Sequence, residues 1–209
     1  MDYITIALSK GRIGKQANDV FKKIGLGDCI DLDSRKLIFK DEKNKINFIY
    51  VKPSDVVTYV EKGVTDLGIV GKDTILESDT NVYEVFDLGF GKCKFSIAGI
   101  KGETVYKNEE VLKVATKYPG IAKKYFKERQ QRIEIIKLNG SVELAPLVGL
   151  SDVIVDLVET GNTLKANGLE VIEDMFDISA RLISNRVSYR FKFERIQNII
   201  KSLNENMEG

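Results

Sequence analysis

The chain has 209 residues, 43% hydrophobic and 30% charged, with 32 Lys+Arg against 31 Asp+Glu for a net charge of +1. This is too apolar for disorder and long enough to bury a core without disulfide or metal staples, and the balanced charge supplies no global field for nucleic acid or an acidic membrane. Histidine is absent, which excludes Ser-His-Asp and Cys-His nucleophile systems, histidine general bases and histidine-ligated metals.

Short apolar runs alternate with helical patterns from end to end, the signature of an α/β protein with either one large domain or two lobes of about a hundred residues. Tyr3 to Leu8 reads as a buried strand and runs into the polar loop Ser9-Lys10-Gly11-Arg12. Ile13, Ala17, Val20, Phe21 and Ile24 recur at helical spacing, with Gly25 as the stop. Leu37 to Phe39 and Ile46 to Val51 read as strands around a polar turn. Pro53 opens a helix with Val56, Val57 and Val60 on one face, closed by Gly63. Leu67 to Val70 is a strand leading through Gly71-Lys72-Asp73 into a short helix.

Val82 to Leu88 and Phe95 to Ile100 read as strands flanking the hinge-like Gly89-Phe90-Gly91. Val111 to Thr116 is a strand, and Pro119 opens a helix. Ile133 to Leu138, Val153 to Leu157 and Leu169 to Ile172 continue the alternation, with helices near 141–148 and 161–167. Ala180 to Ser184 is a last strand. A final helix places Phe193, Ile196, Ile200 and Leu203 on one buried face. Gly63 to Val70 and Gly149 to Asp156 share a Gly, an Asp three residues on and an apolar strand. They read either as one unit used once in each of two lobes or as two ordinary junctions. In the two-lobed reading the ligand site falls between the lobes.

Cys29 and Cys93 lie outside any C-x-x-C pattern and are expected to be buried, reduced thiols. The N-terminus is no signal peptide, and no apolar run approaches the roughly 20 residues needed to span a bilayer. A cytoplasmic protein without membrane or nucleic-acid partners is expected, and the sequon at Asn139 is then accidental. Walker A loops are excluded because Gly71-Lys72 precedes Asp73 and Gly14-Lys15 precedes Gln16.

The most informative stretch is Val153 to Leu164. A buried strand ends in Asp156, and a short loop leads into a helix, so that Thr160, Gly161, Asn162 and Thr163 offer backbone N–H groups, two hydroxyls and a helix N-terminus to a phosphate. Asp156 and Glu159 would then accept hydrogen bonds from sugar hydroxyls or hold a hydrated Mg²⁺. The same residues also read as an N-cap threonine with an acidic first turn.

Asp-x-x-x-Thr-Gly-x-Thr resembles the loop by which phosphoribosyltransferases hold 5-phosphoribosyl 1-diphosphate. Glu143, Gly149, Ser151, Ile154, Asp156, Thr160, Gly161, Thr163 and Leu164 stand at the spacings of the ATP phosphoribosyltransferase signature. Ser9 to Arg12, Asp33 to Leu37 and Asp66 to Asp73 are similar to that family too. The resemblance implies transfer of the phosphoribosyl group to N1 of ATP with release of pyrophosphate, the first step of L-histidine biosynthesis. It implies a type II periplasmic-binding-protein-like α/β fold of two lobes, each a mixed sheet flanked by helices, with residues 1–90 and 180–209 on the ATP side and 91–179 carrying the phosphoribosyl loop. The length resembles the short form, which implies a separate regulatory subunit similar to a histidyl-tRNA synthetase and a homodimer within a hetero-oligomer.

The resemblance also assigns roles. Arg12 and Arg35 are the catalytic cations, and Glu143, Asp156, Glu159, Thr160, Gly161, Asn162 and Thr163 hold phosphoribosyl diphosphate. Lys10, Gly11, Arg12, Asp66, Gly68, Gly71 and Asp73 are candidates for ATP, and Mg²⁺ is held mainly by the substrates. A ligand-binding protein without chemistry and a phosphoribosyltransferase acting on a free base remain alternatives. The base-specific enzymes carry two adjacent acids before the loop, whereas here Val155 precedes Asp156.

Overall fold

The computed structural model describes residues 3–103 and 111–207. In chain order its elements are β1 (Ile4–Ser9), α1 (Arg12–Lys23), β2 (Ile38–Asp41), β3 (Ile46–Val51), α2 (Pro53–Glu61), β4 (Leu67–Gly71), α3 (Lys72–Ser78), β5 (Tyr83–Asp87), β6 (Cys93–Ile100), β7 (Leu112–Thr116), α4 (Pro119–Glu128), β8 (Ile133–Lys137), α5 (Leu144–Leu147), β9 (Val153–Val158), α6 (Asn162–Ala166), β10 (Leu169–Ile178), β11 (Ala180–Ser184), α7 (Arg186–Phe191) and α8 (Phe193–Met207). The chain divides into two units, Met1–Gly91 with Ser179–Gly209, and Lys92–Ile178.

The first unit is built on a six-stranded sheet in the order β2-β3-β1-β4-β11-β5. Strand β1 is parallel to both β3 and β4, while β2, β11 and β5 run antiparallel to their neighbours. Period-two alternation sorts β1 between two layers. Ile4, Ile6 and Leu8 join Phe21, Phe48, Ile196 and Leu203 under α1 and α8, whereas Ala7 faces Val56, Val57 and Val60 of α2. The α2 face is lined by small residues for a reason. A Cβ on Gly68 would lie 2.7 Å from Val60 Cγ2 and 2.8 Å from Val56 Cγ1, so only glycine lets α2 settle on β4.

The second unit carries a five-stranded sheet in the order β10-β6-β9-β7-β8. Here β7 is parallel to β8 and β9, and β6 runs antiparallel to β9 and β10. Phe95, Ile97, Val114, Val153 and Val155 pack beneath α4. Ala98, Ala115 and Ile154 turn to the other face, against Val142, Ala145 and Leu164. Both sheets are mixed and helix-flanked. In each, the carboxyl ends of the parallel strands release the loops at which α/β proteins bind ligands.

Four expectations change in detail. Strand β10 extends to Ile178 with register shifts between Val171 and Glu173 and between Asp174 and Phe176, which break the alternation that marks a strand. The expected helices at 141–148 and 161–167 shrink to four and five residues, because Ser141 at φ 48 and Gly161 at φ 70 hold non-helical backbone at their starts. Phe193 is 48% exposed rather than buried, standing as the first residue of α8. Neither cysteine is in a disulfide, but Cys29 is exposed and Cys93 half-buried.

Candidate active site

In the second unit, β9 runs two residues past Asp156, so that Asp156 lies within the sheet opposite Ser96 and the loop proper begins at Glu159. Gly161 is the N-cap of α6, with φ 70 and ψ 6. The capping residue is therefore this left-handed glycine rather than Thr160, and any side chain here would be strained although a Cβ would meet nothing closer than 3.9 Å. The left-handed turn directs the first N–H groups of α6 out of its end, where no intrahelical acceptor exists. Thr160 Oγ1 receives the Asn162 N–H at a long 3.4 Å. Thr160, Asn162 and Thr163 are exposed. A helix of five residues cannot build the full macrodipole that the sequence suggests, so what the loop offers an anion is local N–H groups and hydroxyls.

Beside this loop lies a pocket of about 350 Å³ that reaches Lys94, Ser96, Glu159, Gly161, Lys165 and Asp174. Ser96 is fully buried and donates to Asp174 Oδ1 at 2.8 Å, and Lys94 Nζ meets Asp174 Oδ2 at 2.6 Å. The hydrogen bond from Lys94, then that from Ser96, holds the Asp174 carboxyl below its usual range, and the same bond raises Lys94. Lys94, Ser96, Lys165 and Asp174 were not legible as site residues. Three of them reach the loop through antiparallel pairing of β6 with β9 and β10, which no local pattern encodes. Glu143 is the residue before α5, after β8, at the same carboxyl end of the sheet, but it does not line the pocket.

In the first unit the corresponding loop follows β1. Ser9 is buried, and Gly11 adopts φ 120 and ψ −162, a conformation essentially reserved for glycine. Helix α1 starts with no side-chain cap and no acid in its first turn. Its end is surrounded by Lys10, Arg12 and Lys15 instead, a combination that favours an anion. Gly14 makes the approach possible, since a Cβ there would fall 1.7 Å from the Ser9 carbonyl oxygen. A pocket of about 100 Å³ opens beside this loop, walled by Lys10, Lys15, Ser34, Lys36, Phe39 and Tyr50. Arg35 is exposed on the same turn as Ser34 and Lys36 but is not part of that wall. Lys15 and Lys36 were missed, although each stands within three residues of an assigned arginine.

The Asp66 to Asp73 stretch is split by the fold. Gly71 closes β4 and would contact Ile13 of α1 at 3.6 Å if it bore a Cβ, so Gly71 and Asp73 join the Lys10–Arg12 loop at one end of the sheet. Asp73 Oδ1 occupies the space beside Gly71, 2.1 Å from where a Cβ would sit. Gly68 is consumed by packing beneath α2. Asp66 sits at the opposite end of β4, where its oxygens accept from Thr5 N–H at 2.8 Å, Ser188 Oγ at 2.6 Å and Lys192 Nζ at 2.9 Å. The fold therefore employs Asp66 as a structural joint, away from the loops that could touch ATP.

Among the described residues no group of three or more Cys, Asp or Glu side chains is arranged to hold a metal ion. No helix among them is long and apolar enough to cross a membrane.

The family model for HisG, ATP phosphoribosyltransferase, matches residues 52–205. An ATP phosphoribosyltransferase of Clostridioides difficile is 74% identical over 98% of this chain and 99% of its own length. One from Ruminiclostridium cellulolyticum is 57% identical over 99% and 98%. Among solved structures, the ATP phosphoribosyl transferase (HisG:HisZ) complex from Thermotoga maritima superposes with a TM-score of 0.85 at 36% identity, covering 98% of both chains. The periplasmic aliphatic sulphonate binding protein SsuA from Escherichia coli, at 14% identity and a TM-score of 0.63, shares the fold over 99% of this chain and 73% of its own. With glycine-shaped loops at the carboxyl ends of parallel strands in both sheets, and relatives of this identity along almost its whole length, the chain belongs to the ATP phosphoribosyltransferase family.

Proposed function

We propose that this chain transfers the 5-phosphoribosyl group of phosphoribosyl diphosphate to N1 of ATP, releasing pyrophosphate as the first step of L-histidine biosynthesis, and that its two loops divide the substrates. The observation that carries the assignment is the left-handed Gly161 at the start of α6, just after the end of β9 and beside the pocket that Glu159 and Thr160 line. Thr160, Gly161, Asn162 and Thr163 take the 5-phosphate, and Asp156 and Glu159 take the ribose hydroxyls. Glu143 is assigned to the same sugar. Lys10, Gly11 and Arg12, with Gly71 and Asp73 at the next strand end, take the ATP side, and Arg12 and Arg35 face the departing pyrophosphate.

The chemistry suits a protein without histidine. The N1 lone pair attacks the anomeric carbon, the carbon–oxygen bond to pyrophosphate breaks, and the positive charge spreads over the adenine ring, so no proton need be removed for attack. What remains is alignment of two anionic substrates and stabilisation of charge on the leaving group. An arginine can grip phosphate oxygens in two places. Asp156 and Glu159 would hold a hydrated Mg²⁺ brought in on phosphate oxygens, rather than a metal caged by protein. When bound, the ion neutralises diphosphate charge.

A separate regulatory chain similar to a histidyl-tRNA synthetase, a homodimeric catalytic pair and a cytoplasmic location complete the proposal. Similarity to the solved HisG:HisZ complex from Thermotoga maritima supports the partner. The test is absorbance in a mixture of ATP, phosphoribosyl diphosphate and Mg²⁺, with and without that regulatory chain, because alkylating adenine changes its chromophore. No spectral change in either mixture, or a product formed from free adenine instead of ATP, would reject the reading.

A further inference from the structure

Tyr50 stands in β3 with its ring edge to face with Phe39 at 5.8 Å, and it is only 5% exposed. Its hydroxyl is buried and has no hydrogen-bond partner among the described residues. A phenylalanine would fill the same place without leaving a buried polar group unpaired, so the hydroxyl calls for a reason. Tyr50 also belongs to the wall of the pocket beside the Lys10–Arg12 loop. Its backbone is paired with Leu8 of β1 on one side and donates to the Leu37 carbonyl at 2.8 Å on the other, so it is the side chain that forms this wall. A group that enters the pocket can take the hydrogen bond that the chain leaves unmade.

The rest of the wall says what that group is. Lys10, Lys15 and Lys36 line the pocket against one carboxylate, Asp31, whose Oδ1 accepts the Asp33 N–H at 3.0 Å. Among the described residues no carboxylate pairs with any of the three lysines. Helix α1, twelve residues long, starts at Gly11 of the same wall without a side-chain cap. Charge, helix end and hydroxyl together favour an anion that accepts hydrogen bonds. At about 100 Å³ the pocket is small. Sites that enclose a whole ligand run to roughly 300–1,000 Å³, so this one takes a single group of a larger molecule.

We infer that this pocket is a subsite for one phosphoryl group of a substrate, with Lys15 and Lys36 supplying charge and the Tyr50 hydroxyl a neutral hydrogen bond. The inference rests on the proposed transfer reaction and adds three binding residues to those of the Lys10–Arg12 loop. The phosphoryl group comes either from the triphosphate of ATP or from the diphosphate of phosphoribosyl diphosphate, and the test separates the two.

The full-length chain, with and without its regulatory chain, is titrated calorimetrically with ATP and, separately, with phosphoribosyl diphosphate, each with Mg²⁺. Tyr50→Phe, Lys36→Gln and Lys40→Gln are compared with the wild type. Lys40 is exposed on the same edge strand but does not line the pocket. Tyr50→Phe and Lys36→Gln should each weaken at least one substrate by about tenfold, the same one for both, and that substrate is the source of the phosphoryl group. Lys40→Gln should bind both substrates as the wild type does, and Tyr50→Phe should melt no lower than it. If either pocket variant keeps both affinities within about threefold of wild type, or the two weaken different substrates, the subsite is overturned while the transfer reaction stands. A Lys40→Gln loss equal to that of Lys36→Gln would make the effect a diffuse field and overturn the inference too. So would a Tyr50→Phe midpoint well below wild type, because it would reveal a partner for the hydroxyl within the chain. A wild-type protein that binds neither substrate overturns the transfer reading and the subsite with it.

Discussion

Gly14→Ala tests whether the start of α1 must touch the end of β1 for the enzyme to work. The new methyl would be placed 1.7 Å from the Ser9 carbonyl oxygen and 2.9 Å from its carbon, where ordinary contact begins at 3.4 Å. Both obstacles are backbone, so no side-chain rotation relieves them. The helix end must retreat by about 1.5 Å, carrying Gly11, Arg12 and Lys15 with it, at a stability cost of about 1–3 kcal/mol typical of overpacking. A displacement on the order of 1 Å in a charge-aligning loop costs roughly 10²-fold in rate. For a chain of this size the stability cost lowers the melting midpoint by about 3–10 °C. Turnover at saturating ATP and phosphoribosyl diphosphate, followed by adenine absorbance beside calorimetry, separates the two effects. A folded Gly14→Ala protein with turnover within threefold of wild type would show that the close approach of α1 to Ser9 is not what positions the cations.

Asp66→Asn should leave turnover of the folded enzyme unchanged at assay temperature but lower stability by about 2–3 kcal/mol, because Lys192 loses its carboxylate partner; a selective loss of ATP affinity without a change in melting would return Asp66 to the substrate. Gly161→Ala should cost about 1 kcal/mol through its positive φ and weaken phosphoribosyl diphosphate binding, read by calorimetric titration; native affinity would remove the 160 loop from the site. Burial, with the Cys29 thiolate adding, pushes the Tyr50 hydroxyl up to about 12. The folded form thus keeps its proton after the unfolded chain loses it near pH 10, so this stability is complete below pH 10 and is lost between pH 10 and about 12. Tyr50→Phe also removes a buried hydroxyl without a partner, so it should be neutral or stabilising by up to about 1 kcal/mol at pH 8 and lose stability less steeply in that alkaline window; denaturant midpoints that fall in parallel for both proteins would refute this.

Periodicity and punctuation alone located most elements. Ile4, Ile6 and Leu8 announced a strand, Pro53 and Pro119 the first residues of α2 and α4, and Ile196 and Leu203 the buried stripe of α8. These features are local, because burial on one face repeats at the period of the element. The signature around Asp156 to Thr163 was legible for the same reason: a turn, its glycine and its hydroxyls are neighbours in the chain. Tertiary structure decided what sequence distance conceals. It drew Ser96 and Asp174 beside the loop at Thr160 through strand pairing, set Asp66 and Gly68 to packing at positions apart from the loop after β1, and put Lys36 beside Tyr50. It also turned Ser188 and Lys192 onto Asp66 at the far end of β4, a contact between distant parts of the chain that no helical pattern could announce.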